Sequence, residues 1–230
     1  RSPLLASSAA SDVYKRQMQL AKSGCRTGLA FTEQRPLKNF TWKRFRKESH
    51  FQISAGDNGS FVTMRMHAWN PKLSTRAGGI IWSLLTVLLV RKYIRTYGRP
   101  DLIHAHFGTW AGYAARLVYK WYKIPYVITE HASSINGNQT TPSQAVILKK
   151  AYSEARKIIC VGTKLKRSLC AYVSDPDKVT VIPNFVDTNT FAFSPHRTEK
   201  EKHFTFISIG NLNKRKGFWD LLTAFHWAFK

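Results

Sequence analysis

Asp101-Leu102-Ile103-His104-Ala105-His106-Phe107-Gly108-Thr109 is a short apolar run that ends in a histidine, an aromatic residue and a glycine, just before a longer amphipathic stretch. It reads as a buried strand, Leu102 to His106, turning through Phe107, Gly108 and Thr109 into a helix from Trp110 to Tyr122. Downstream the alternation repeats. Ile124 to Thr129 reads as a strand, Lys149 to Ala155 as a helix, and Lys157 to Val161 as a strand. Thr163 to Tyr172 then reads as a short helix and Val179 to Ile182 as a strand stopped by Pro183. Short β-branched runs alternating with helical runs are the pattern of βαβ units. The expected fold class is therefore α/β, a Rossmann-like parallel sheet flanked by helices.

Open parallel sheets bind ligands beyond the carboxyl ends of their strands, where the following loops line a crevice. That rule selects His106 with Gly108 and Thr109, then Glu130 and His131, then Gly162 and Thr163, and finally Asn184. An imidazole titrates near neutrality and can give or take a hydrogen bond, which suits His131 to a reacting centre; its position alone leaves a structural role equally open.

Upstream the pattern is weaker. Met18 to Gly24 reads as the tail of a helix, and Gly28 to Phe31 and Phe61 to His67 as strands. Pro36 to Asn58, rich in Lys, Arg and aromatics, is expected to be a long loop. The apolar run Ile80 to Val90 is about half of the roughly 20 residues that span a bilayer, so no transmembrane helix is expected. Arg76 before it and Arg91, Lys92 and Arg95 after it would suit a helix lying on anionic headgroups. A core helix with charged ends is the competing reading.

The 36 Lys and Arg against 13 Asp and Glu leave a formal charge of +23, which calls for an anionic neighbour: nucleic acid, an anionic membrane or a phosphorylated substrate. Cys25, Cys160 and Cys170 form no C-x-x-C pair and are odd in number, which argues against a disulfide framework. No His/Cys/Asp cluster has metal-ligand spacing, and no metal or other cofactor is expected.

The series Asp101 to His106, then Thr129-Glu130-His131, then Val181-Ile182-Pro183-Asn184-Phe185-Val186-Asp187 with Phe191, resembles the amino-terminal domain of family 4 glycosyltransferases. Phe206 to Leu212, followed by Lys216-Gly217-Phe218 and Asp220-Leu221-Leu222, is similar to the first strand and helix of their carboxy-terminal domain. The resemblance covers Met18 to Lys230 and is sharp from Asp101 onward. It implies a GT-B fold: two Rossmann-like domains facing across a cleft, the first holding the acceptor and the second a nucleotide-sugar. On that reading residues 18–198 are the acceptor-side domain without its first strand, and residues 199–230 open the donor-binding domain. Arg1 to Gln17 is expected to be non-native, because Asp12 to Gln17 resembles a translated sequencing-adapter end.

The implied activity is that of a retaining, hexosyltransferase-type enzyme. It would move a sugar from a nucleotide-sugar co-substrate to a glycan or lipid-linked acceptor in cell-surface polysaccharide synthesis, this stretch being inactive alone. The resemblance makes His131 the catalytic residue, near the transferred sugar and the acceptor, with His106, Gly108, Thr109, Glu130 and Asn184 binding substrate. Lys216, with Lys214, Arg215 and Gly210, would meet the donor diphosphate at a helix start, where free N–H groups favour an anion. Many relatives carry Arg after the glycine, where this chain has Asn211, which passes more of that task to Lys216. A cytoplasmic protein in peripheral contact with the inner membrane face fits this reading, and nucleic acid does not. The alternative is a basic, non-enzymatic α/β module that binds an anionic membrane or nucleic acid.

Overall fold

The computed structural model describes residues 18–47, 51–55, 61–70, 75–131, 135, 140–186, 188, 192, 205–210, 212 and 214–229. The expectations for Arg1 to Gln17 and for Asn211 lie outside these residues. After a helical turn at 18–22, the elements run β1 (Gly28–Pro36), α1 (Trp42–Lys47), β2 (Phe51–Ala55), β3 (Val62–Asn70), α2 (Arg76–Tyr97) and β4 (Ile103–His106). They continue with α3 (Tyr113–Tyr122), β5 (Tyr126–Glu130), α4 (Pro142–Ser153), β6 (Lys157–Cys160), α5 (Thr163–Leu169), β7 (Val179–Val181) and α6 (Phe218–Ala228). They divide into two compact units that meet in sequence at Phe185 and Val186.

In the first unit, β4, β5, β6 and β7 form a four-stranded sheet in that order, every pair parallel, with helices between successive strands. This is the Rossmann-like α/β arrangement. Its strands are short and largely apolar because the crossovers cover them, and Tyr126, Ile128 and Ile158 have no exposed surface. Tyr152, Leu148 and Ala151 of α4 and Leu165 and Leu169 of α5 close over the same core. Burying a side chain of this size contributes about 1.5–3 kcal/mol.

A second, three-stranded sheet has the order β1-β3-β2, with β1 parallel and β2 antiparallel to β3. Helix α2 lies over it, placing Leu89 against Met64 and Met66. Val87 of the same helix packs with Val118 of α3 and with Ile124. At its amino end a Cβ on Gly79 would overlap the Trp110 indole, so the absence of a side chain lets the helix approach the turn before α3. The Ser83 hydroxyl bridges the contact, 3.0 Å from Gly79 O and 3.2 Å from Trp110 O.

Several elements differ from their sequence-based expectation. Pro36 to Asn58 is not a long loop: it contains α1 and the edge strand β2, whose Phe51, Ile53 and Ala55 alternate with polar residues as a paired strand requires. Helix α2 extends well past the apolar run. At 22 residues it is long and apolar enough to cross a membrane by length and composition, although one face packs on the protein. Helix α4 begins at Pro142, not Lys149, because Thr141 and Gln144 form a reciprocal capping box. Helix α3 starts at Tyr113, since Gly108–Gly112 winds as a wider π-type turn.

In the second unit, 205–209 forms no strand. Ile207 is 82% and Ile209 89% exposed. An apolar run becomes a strand only where a neighbour takes its backbone hydrogen bonds. Helix α6 follows, with Phe225 against Phe206 and Phe229.

Candidate functional site

The parallel sheet delivers two strand ends side by side. His106, the last residue of β4, is in register with Thr129, and β5 continues by one residue to Glu130 before His131. His104 and His106 are two apart on one strand, so their rings share a face and stack, with centroids 4.6 Å apart. The His131 ring continues the column at 5.5 Å and 16° from that of His106, with His106 Nδ1 3.3 Å from His131 Nε2. At the inner end His104 Nε2 shares a 2.6 Å hydrogen bond with the Thr129 hydroxyl, which is buried. Three imidazoles thus form a short stack leading to the sheet's carboxyl edge, held at its base by a strand residue.

The turn after β4 is built around a strained residue. Phe107 has φ 71° and ψ 132°, a backbone region that costs a bulky side chain energy. Its N–H donates to Thr129 O at 2.9 Å, and its carbonyl accepts from Gly112 N–H at 2.9 Å, closing the π-type turn. This geometry brings the Phe107 ring to 5.5 Å from that of His131. His131 is therefore flanked by the His106 ring from the end of β4 and the Phe107 ring from the turn.

Beneath the turn lies the Glu130 carboxylate, fully buried. One oxygen, Oε2, accepts from Gly108 N–H at 2.8 Å and from the Tyr152 hydroxyl at 2.6 Å. The other accepts from the His131 backbone N–H at 3.0 Å. Burial, reinforced by the Glu130 carboxylate, pushes the Tyr152 hydroxyl well above its ordinary pKa, which keeps it a donor. A Cβ on Gly108 would overlap that hydroxyl, so only glycine lets the turn settle onto it. Glu130 thereby ties the turn after β4, the residue after β5 and helix α4 to one buried point.

The expected site residues fall into three groups. His106, Gly108, Glu130 and His131 come together, with Thr109 in the same turn. Glu130 points inward to backbone and Tyr152, a position from which its carboxylate organises the site rather than lines it. Asn184 is exposed and follows β7, the strand at the opposite edge of the sheet from β4. Gly162 and Thr163 lead from β6 into α5. In the second unit Lys214 and Lys216 sit on a single 3₁₀ turn before α6 and are exposed. A Cβ on Gly210 would lie 4.0 Å from Lys216 Cδ, so those two residues are neighbours. Gly217, at φ 70°, makes the left-handed step into the helix. Asp220 in the first turn of α6 offsets part of the positive field there.

His104, Phe107, Thr129 and Tyr152 were not selected from the sequence. The two-residue spacing of His104 and His106 on a strand was a usable signal. Tyr152 carries none, because it reaches Glu130 from a helix 22 positions later. Among the described residues no group of three or more His, Cys, Asp or Glu could hold a metal ion.

The family model described as Glycosyltransferase Family 4 matches residues 56–190, a span that contains β3 to β7, the histidine stack, Glu130 and Asn184. The chain is also 29% identical over 134 residues to a Bacillus subtilis (strain 168) protein, TuaC, named as a teichuronic acid biosynthesis glycosyltransferase. That alignment covers 54% of this chain and 34% of the relative, so the chain spans about a third of the relative's length.

Proposed function

Because the chain belongs to glycosyltransferase family 4, we propose that its histidine-lined strand ends present an acceptor and the transferred sugar to a nucleotide-sugar held by a second, donor-binding domain. The observation that carries this reading is the packing of His131. Its ring is stacked on His106, flanked by Phe107 and fixed through its backbone to Glu130, all at the carboxyl edge of a parallel sheet inside the matched span. A hydrogen-bonding group packed against neighbouring rings orients a sugar hydroxyl at reduced entropic cost.

The reaction is a hexosyl transfer with retention. The bond between the anomeric carbon and the diphosphate oxygen breaks, and a bond from that carbon to the acceptor oxygen forms on the same face. The acceptor's proton passes to an oxygen of the departing diphosphate. No carboxylate pair is needed, unlike glycoside hydrolysis. His131 holds the sugar while positive charge develops on its ring. In the second unit Lys216, a neighbour of Gly210, and Lys214 on the same 3₁₀ turn before α6 are the cations suited to the negative charge that grows on a diphosphate. The name of TuaC supports an acceptor in cell-surface polysaccharide synthesis.

Transfer of labelled sugar from a panel of nucleotide-sugars to lipid-linked glycans tests the proposal, using a polypeptide that continues this chain through a complete donor-binding domain. One nucleotide-sugar should be preferred by at least an order of magnitude. Indifference to the nucleotide and sugar, without transfer, would leave only a basic binding module.

A further inference from the structure

We propose that the outward face of α2 docks in the plane of an anionic lipid bilayer, with its apolar side chains among the acyl chains and its arginines at the phosphates. The inference rests on the helix surface alone and is independent of the transferase reading. The exposed positions of α2 are Ala77, Ile81, Leu84, Leu88, Arg91 and Arg95, together with Arg76 and Thr96 at the two ends. The first six are spaced by alternating steps of four and three, which places them on one stripe of the helix. Ile81, Leu84 and Leu88 are 36%, 42% and 52% exposed although the opposite face packs on the domain. From Ile81 to Arg95 the stripe runs about 21 Å.

A second apolar patch adjoins it. Lys92 flanks the stripe, and its ammonium lies 4.0 Å from the centre of the Phe51 ring on β2. Phe51 and Ile53 are themselves 38% and 51% exposed. The apolar surface thus widens from helix to strand, with Lys92, Arg91 and Arg95 around its carboxyl end.

Charge identifies the occupant. From residue 58 to residue 100 the sequence has seven Lys and Arg and no Asp or Glu. A second copy of the chain would set this stripe against another of the same sign, on a molecule that carries +23. A nucleic acid would satisfy the arginines but leave three aliphatic side chains facing phosphates and water. A bilayer rich in acidic lipid offers both chemistries at the right depths. Insertion across the bilayer would strip Gly79, Ser83, Val87 and Leu89 from their packing, whereas docking in the plane leaves that face in place.

Flotation of the chain with vesicles tests this directly. The chain should float with equimolar phosphatidylcholine and phosphatidylglycerol and stay behind with phosphatidylcholine alone. Arg91→Gln with Arg95→Gln should weaken binding about 25-fold, roughly 5-fold for each cation near the surface. Leu84→Ser with Leu88→Ser, both at exposed positions, should leave the circular dichroism unchanged and weaken binding at least about 10-fold. Three results would overturn the proposal: no flotation with the acidic vesicles, flotation indifferent to the leucine pair, or sedimentation showing a dimer that the leucine pair dissolves.

Discussion

Tyr152→Phe removes one hydroxyl from the buried cluster that organises the site and changes nothing else in shape. In the parent the hydroxyl donates to Glu130 Oε2 at 2.6 Å, on the same oxygen that accepts from Gly108 N–H. Both partners are fully buried, so no water replaces the lost donor. A hydrogen bond to a charged group contributes about 1.5–3 kcal/mol. For a chain of this length each kcal/mol shifts the melting temperature by about 2–4 °C, so a fall of roughly 3–12 °C is expected. Urea unfolding should show a lower midpoint at unchanged slope. Glu130→Gln extends the test: its single oxygen can still serve Tyr152 and Gly108, but its NH2 then faces the His131 N–H, donor against donor. It should cost a similar amount and loosen His131. A Tyr152→Phe variant within about 0.5 kcal/mol of the parent would refute the clamp, since a buried charge-assisted bond cannot be so cheap to lose.

Gly79→Ala gains about 1 kcal/mol of helix propensity but drives a methyl into the Trp110 indole, where overpacking costs about 1–3 kcal/mol. Its melting temperature should fall, and a rise would contradict the packing of α2 on that turn. Burial alone would raise the pKa of Glu154, but hydrogen bonds from Lys120 at 3.0 Å and Arg116 at 2.9 Å outweigh it and hold the group below its ordinary value of 4.5. Its contribution is present above that value and lost as pH falls through the lowered one, so Glu154→Gln should flatten the acid limb of the stability profile. Amide exchange along α6 should be fast, because Trp219, Leu222 and Trp227 are 78%, 64% and 75% exposed. Strong protection there would show that the helix is covered in solution.

The parallel sheet was legible because buried strands read as short apolar runs, and β4 to β7 lie within two residues of their expected bounds. Other errors have local causes. The capping box at Thr141 and Gln144, with Pro142 at the first helical position, was a usable sequence signal for the start of α4. Phe51 to Ala55 alternates too briefly, inside a basic and aromatic stretch, to stand out as a strand. The uninterrupted apolar run marks only the middle of α2, since Lys92 to Tyr97 continue the helix with charged and aromatic residues. Strand-end position led to His106, Glu130 and His131, which the fold brings together. It could not tell that Glu130 turns inward: Ile128, Thr129 and Glu130 are all buried, so alternation fails on β5. Nor could it supply Tyr152, whose place depends on how α4 packs over the sheet.

The central claim is that His131 serves the reacting sugar rather than the fold. Turnover and nucleotide-sugar affinity of His131→Ala, measured at saturating acceptor in a polypeptide with a complete donor-binding domain, test it most directly. Losing its contact should cost about 2–4 kcal/mol in the transition state, a roughly 30- to 1,000-fold fall in turnover, with donor affinity within about 3-fold of the parent. Near-parental turnover in a folded variant would contradict the account and make the histidine stack a structural feature of the sheet's edge.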